Sequence, residues 1–357
     1  MDFSNKRQTQ TAGDNAVQTQ IENQTINYNG VNAAEVVSIA TTVYDQMYAI
    51  SAKNYADIAQ EIVRERIDSF ASVLFPRLKE IKGALEAFKD PRFEFLLQDA
   101  QIAAAKTDRE EDLNLLTELL SCHVMKGNDR KIDAGISHAI KIVDEIDNDA
   151  LCALTLEWAA DHLYITANID EDYDAVLYQL NELYRKLLYL ELPTGNEWLE
   201  HLDLLGCIRL SSLGHFRPFS ERILQLYQCR ATAGIRKDSA EFEDAIKILE
   251  INQKTESFLI DNKCLQGYVI LNISNLGDIK LENKEPIMKI WNLYTKDSKV
   301  VKMAENNFIQ LWNSYDSLKA VKEWRDSIPS YFAITHLGRV LAHINAKRIE
   351  SSFPDLI

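Results

Sequence analysis

Asp170, Asp172 and Asp174 stand at alternate positions, the spacing with which a calcium-binding loop opens, because carboxylates two apart turn their oxygens toward one cation. Such a loop needs glycine at its sixth position for a sharp turn and glutamate at its twelfth for bidentate ligation. Those positions hold Ala175 and Asn181. The three aspartates are therefore read as a solvated helix start, where carboxylates meet the positive end of the helix dipole. Asp144, Glu145, Asp147 and Asp149 are read in the same way, as the end of one helix and the cap of the next.

Acid–base and nucleophilic chemistry have few carriers. Asp161 and His162 are adjacent and His201 follows at a distance; they form a catalytic group only if the fold gathers them beside a nucleophile. Cys122 and His123 are neighbours, but helix neighbours point about 100° apart and do not make a nucleophile–base pair by adjacency. Both are expected to be buried structural residues. The sequence contains no phosphate-cradling glycine-rich loop, no H-E-x-x-H and no G-x-S-x-G. No catalytic, cofactor-binding or metal-ligating set is assigned, and no cofactor is expected.

From Lys284 to Arg348, 11 Lys and Arg accompany 6 Asp and Glu, with Trp291, Trp312, Trp324, Tyr315 and Tyr331 among them. Basic residues interleaved with aromatics suit a single-stranded nucleic acid. Ala304, Phe308, Trp312 and Tyr315, however, fall at helical spacing and read as core.

The chain has 357 residues and a formal net charge of −15. The charge is uneven: residues 1–199 hold 18 basic against 34 acidic residues, and residues 200–357 hold 21 against 20. An acidic front half repels nucleic acid and anionic membranes. Twelve Gly and seven Pro, mostly at helix ends, argue for a mainly helical chain. No apolar run approaches the ~18 residues of a membrane span and no apolar signal region opens the chain. A cytoplasmic location is expected, with no membrane partner. The five cysteines (122, 152, 207, 229 and 264) are scattered, odd in number and never in a C-x-x-C pair, which predicts reduced, buried thiols.

The elements that position these groups read as all-α: a helical bundle or stacked helical pairs, with a short β-prone leader and a small β element near the C-terminus. Residues 1–30 form the leader. Val17, Thr19 and Ile21 alternate with Gln18, Gln20 and Glu22, the period of a strand, and Gly13-Asp14-Asn15 supplies a turn. A polar hairpin alone is marginal in water. The leader is therefore either disordered or paired with copies on other subunits. Asn32 then caps a long helix whose apolar positions Val36, Ala40, Val43, Met47 and Ile50 follow a heptad pattern. The stripe slips to Ile62, Ile67, Phe70 and Leu74, and Pro76 marks a kink or stop. Val17, Thr19, Ile21, Val36, Val43, Met47 and Ile50 are the candidate oligomerisation residues.

Residues 77–90 are expected to continue as helix. Asp90-Pro91 opens another, Thr107-Asp108-Arg109-Glu110 reads as a capping box, and further helices carry Ile132–Ile146, Leu151–Leu163 and Val176–Leu190. Leu192-Pro193-Thr194-Gly195 is the expected boundary between a bundle over 31–191 and a mostly helical domain over 196–357. Beyond it the expectations are a helix over 196–205, an extended Cys207–Leu210, and helices over 218–229 and 240–252. A hairpin is expected within 266–281, helices over 286–296 and 299–326, a strand over 331–335 and a closing helix over 337–348.

Two pieces carry resemblances. Leu97-Gln98-Asp99-Ala100-Gln101, Ala103–Ala105, Glu111-Asp112-Leu113 and Leu116–Leu120 resemble a stretch in an uncharacterised family of bacterial helical proteins, whose members also begin with a polar leader similar to Ala12-Gly13-Asp14-Asn15. Leu202–Ile208 and Tyr331–Gly338 resemble the ending of abortive-infection alpha-type proteins and of winged-helix modules. Cys207 stands where that ending has Leu, and more than 120 residues separate the pieces, too many for a compact winged helix. The resemblance implies a bacterial context and a role in phage defence, and brings no catalytic residues.

The sequence thus favours a non-enzymatic, homo-oligomerising binding protein. A nucleic-acid-associated regulator using the C-terminal half is one alternative; an enzyme with a dispersed site is the other.

Overall fold

Alanine and leucine at helical spacing build much of the interior. In a computed structural model, residues 37–38, 53–126, 129–162, 173–211, 214–252, 258–279 and 283–351 are described. The chain is all-α with small strands. The β-prone leader, the proposed heptad stripe and the aspartates at 170 and 172 lie outside the described residues.

Helix α1 (Lys53–Glu80) is followed by a single turn, α2 (Ala84–Ala87). The helix runs through Pro76 instead of stopping there. A proline inside a helix costs roughly 3 kcal/mol, but Leu74 and Leu78 on either side are buried on one face and Arg77 is tied to Glu118 at 2.8 Å. That anchoring outweighs the lost bond. The continuous helix expected through residue 90 ends instead at Glu80, and Gly83, with a φ of 85°, lies in the turn before α2. The buried stripe is Val63, Ile67, Phe70 and Leu74; Ile62 is 42% exposed, one residue out of phase. Val37 packs against Val63, Ile67 and Ala105.

Helices α3 (Pro91–Lys106), α4 (Glu110–Lys126), α5 (Arg130–Ile142), α6 (Asn148–His162) and α7 (Tyr173–Leu187) follow. Asp90 caps α3 by accepting from the Arg92 amide at 2.9 Å, and Asp129 caps α5. The expected capping box does not form with Glu110; Thr107 instead pairs through its hydroxyl with Asp112. Thr107 Oγ1 accepts from the Arg109 amide and donates to Asp112 at 2.6 Å. Arg109 also binds Asp112, at 2.8 Å, so Asp112 turns inward and Glu110 is left on the outside. Almost every residue of α6 from Ala150 to Ala160 is buried, as expected of a helix surrounded by others.

Helix α8 (Glu197–Leu204) leads to β1 (Ile208–Leu210), α9 (Phe219–Leu226), β2 (Ile235–Arg236) and α10 (Ala240–Ile251). Then come β3 (Leu259–Asp261), β4 (Tyr268–Leu271), α11 (Lys284–Asn292), α12 (Ser298–Asn313), α13 (Asp316–Asp326), β5 (Phe332–Ile334) and α14 (His336–Ile349). The hairpin is β3–β4, earlier than the expected 266–281, with β2 on the other side of β4. The single helix expected over 299–326 breaks at Ser314-Tyr315, where the Trp312 indole N–H donates across the break to the Leu318 carbonyl at 3.1 Å.

The two pieces quoted from 202–208 and 331–338 meet. Strands β1 and β5 pair antiparallel, Ile208 opposite Ile334 and Leu210 opposite Phe332, while α9–α13 form the detour between them. Thr335 caps α14 by accepting from the Gly338 amide at 3.1 Å and donates to the Gly206 and Cys207 carbonyls. A Cβ at Gly338 would lie 2.0 Å from the Cys207 carbonyl oxygen, so only glycine allows α14 to approach β1 this closely. From there α14 packs along α6 and α5 and touches α4. One buried cluster extends from Phe70 to Ala346. Among the described residues, no helix is long and apolar enough to cross a membrane.

Candidate functional site

The interior of α6 carries one carboxylate where leucine would be expected. Glu157 lies between Leu156 and Trp158, is 3% exposed, and meets Arg325 of α13. The guanidinium donates to both carboxylate oxygens, at 2.8 and 2.9 Å. Arg325 is 6% exposed, and its head lies 4.9 Å from the Phe216 ring centre and 4.7 Å from that of Phe219. Aromatic faces favour a cation there. Burial pushes the Glu157 carboxyl up to about 7 even though Arg325 draws it down, and Asp161 adds a smaller upward push.

This pair floors a cavity of about 490 Å³. One turn beyond Glu157, on the same face, Asp161 forms an ion pair with Arg222 of α9 at 3.2 Å, and Arg222 also donates to the Asp161 carbonyl at 2.6 Å. A cation at a helix C-terminus satisfies a carbonyl that lacks an intrahelical partner. Helix α9 is itself held in place, its first amide at Phe219 donating to Asp326 of α13 at 2.7 Å. The rim holds Arg217 and Glu221, 4.0 Å apart and both well exposed, together with His215, Tyr331 and Arg339. Phe216 and Tyr331 have ring centres 5.0 Å apart, and Tyr331 is 41% exposed. Helix ends, a loop and the edge of β5 thus converge on one opening.

The structure separates the residues that the sequence offered for catalysis. Asp161 lines the cavity. His201 sits at the start of α6, where its Nε2 accepts from the Asp147 amide at 3.4 Å. Asp147 and Asp161 bracket the helix, so at 1.5 Å per residue about 20 Å separates them. The side chains of His162 and Asp174 lie outside the described set. His123 contacts Asp133 at 2.9 Å and stacks on Phe93; Cys122 and the other four cysteines are buried thiols outside any disulfide. Among the described residues no cluster of His, Cys, Asp or Glu is arranged to hold a metal.

In the basic C-terminal region, Trp312 and Trp324 are core, and the Trp324 indole donates to the Pro193 carbonyl at 3.0 Å. Tyr331 alone of the five aromatics quoted from that region lines the cavity. The candidate oligomerisation residues Val17, Thr19, Ile21, Val36, Val43, Met47 and Ile50 all lie outside the described residues. Sequence reasoning missed Glu157, Arg222, Arg325 and Arg339. The one available signal was Glu157, a charge inside an otherwise apolar helix that requires a buried partner.

A family model described as “:-like” matches residues 30–356, in keeping with an uncharacterised family. No curated protein and no solved structure matches the chain.

Proposed function

We propose, from the premise that this chain belongs to the family matched over residues 30–356, that it works by binding and assembly and not by catalysis. The observation that carries this reading is the state of the carboxylates in the cavity. Both oxygens of Glu157 are engaged by Arg325, and Asp161 is held by Arg222. Groups locked this way shape a pocket; they are poorly placed to take and return protons. The distance between His201 and Asp161 supports the same view.

Assembly is assigned to the N-terminal segment through Val17, Thr19, Ile21, Val36, Val43, Met47 and Ile50. Light scattering on the full chain should give an oligomer, and Val43→Asp with Met47→Asp should dissociate it. A monomeric wild-type chain removes the assembly role. A part in phage defence rests on the abortive-infection alpha-type resemblance, whose two pieces lie side by side as β1 and β5. Phage plating on cells with and without the protein tests it, and equal plating efficiency ends that proposal.

A second reading, a nucleic-acid-associated regulator, is favoured by Arg217, Arg339 and Tyr331 at one opening. It requires salt-sensitive retardation of nucleic acid. No shift at low salt would remove it.

A further inference from the structure

We infer that the cavity between α6, α9, α13 and β5 is the binding site of a small phosphorylated ligand of the nucleotide class, an inference that rests on the binding reading above. Its volume of about 490 Å³ is that of a small-molecule pocket, which typically spans ~300–1,000 Å³. Its charge departs from that of the chain. In a protein of net charge −15, this opening is lined by four arginines against three carboxylates.

The arginines divide into two kinds. Arg325 is committed to Glu157 in a buried pair, and Arg222 is paired with Asp161. Arg217 and Arg339 stand at the rim. Arg217 is 82% exposed and only 4.0 Å from Glu221, a pairing that water and salt weaken. The Arg339 guanidinium has no hydrogen-bond or ion-pair partner among the described residues. Arginine forks match phosphate oxygens two at a time, so the rim is where a phosphate is held.

The remainder of the lining suits a nucleoside. Tyr331, 41% exposed and braced by Phe216 at 5.0 Å, presents a ring on which a base can stack. Asp161 and Glu221 supply acceptors for hydroxyl and amino donors. The acidic front half favours a free ligand over a polyanionic strand.

The test is calorimetric titration of the full-length chain with the four ribonucleoside 5′-monophosphates, a nucleoside, inorganic phosphate and a single-stranded oligonucleotide. At least one monophosphate should bind saturably at one per chain, more tightly than nucleoside or phosphate alone. Arg339→Gln and Tyr331→Ala should each weaken it by about tenfold or more. Both side chains are exposed, and circular dichroism confirms that the variants fold. Binding of none of the monophosphates overturns the inference. So does phosphate binding as tightly as the nucleotide, affinity unchanged in both variants, or tight binding of the oligonucleotide alone. Bound nucleotide recovered intact is the expected result. Nucleotide recovered hydrolysed keeps the ligand class and removes the non-enzymatic reading.

Discussion

Replacing Glu157 by glutamine should change how the stability of this protein depends on pH, with a sign opposite to that of an ordinary salt-bridged carboxylate. Burial pushes the folded carboxyl up to about 7, against an ordinary value of 4.5. Between those two values the folded chain keeps a proton that the unfolded chain has released. The stability from this group is therefore fully present below about 4.5 and is lost as the pH rises through 7. A displacement of that size is worth about 3 kcal/mol at most. Glu157→Gln preserves the shape of the side chain and has no charge to lose.

Urea unfolding of both proteins between pH 4.5 and 8 gives two profiles whose difference cancels the other titrating groups. Wild type should lose about 3 kcal/mol relative to the variant across that range. With a urea slope near 3 kcal/mol/M, this is about 1 M in the midpoint. A flat difference refutes the reasoning. So does a wild type that gains on the variant as the pH rises, because it would mean that Arg325 outweighs burial and holds the carboxyl below its ordinary range.

Other outcomes are expected from the same structure. Arg325→Met leaves Glu157 buried without its cation and should cost about 3–5 kcal/mol at pH 8, less at pH 5, by urea unfolding; a cost independent of pH would detach the effect from Glu157. Gly338→Ala sets a methyl 2.0 Å from the Cys207 carbonyl and should destabilise by about 1–3 kcal/mol or more. A change below about 0.5 kcal/mol would show that α14 can slide away. Burial pushes the Cys152 thiol up to about 11 and the Cys207 thiol up to about 12, so a thiol reagent at pH 8 should react slowly with the folded chain and rapidly with five sulfurs in urea. Rapid native labelling at either position would contradict the packing described.

Local chemistry made the helices legible and left their partners hidden. Asp90-Pro91 announced a helix start because a cap needs only its own next two or three residues. The stripe on α1 was misplaced by one residue, Ile62 for Val63, since both are apolar and only packing distinguishes them. Pro76 was read by its local cost, whereas Leu74, Leu78 and Glu118 supply the compensation from outside the turn. The strands at 208–210 and 332–334 were each legible, but their pairing was not, because the chain between them folds as a detour. The floor of the cavity was least visible. Glu157 and Arg325 are 168 residues apart, and no periodicity connects them.

The docking of α14 against α6 also constrains how the protein is made. Asn345 donates to Thr155 at 2.8 Å across a separation of 190 residues, and His343 packs edge-on to Trp158 at 5.1 Å. At a translation rate of ~5–20 residues per second, α6 is synthesised roughly 10–40 s before the helix that covers it. During that interval the buried face of α6 around Thr155 and Trp158 has no cover from α14. Contacts of such long sequence range slow folding, and a nascent chain in this condition is a substrate for chaperones. Weakening the α14 contact should therefore lower the yield of folded protein in cells before it lowers the stability of the molecules that finish folding.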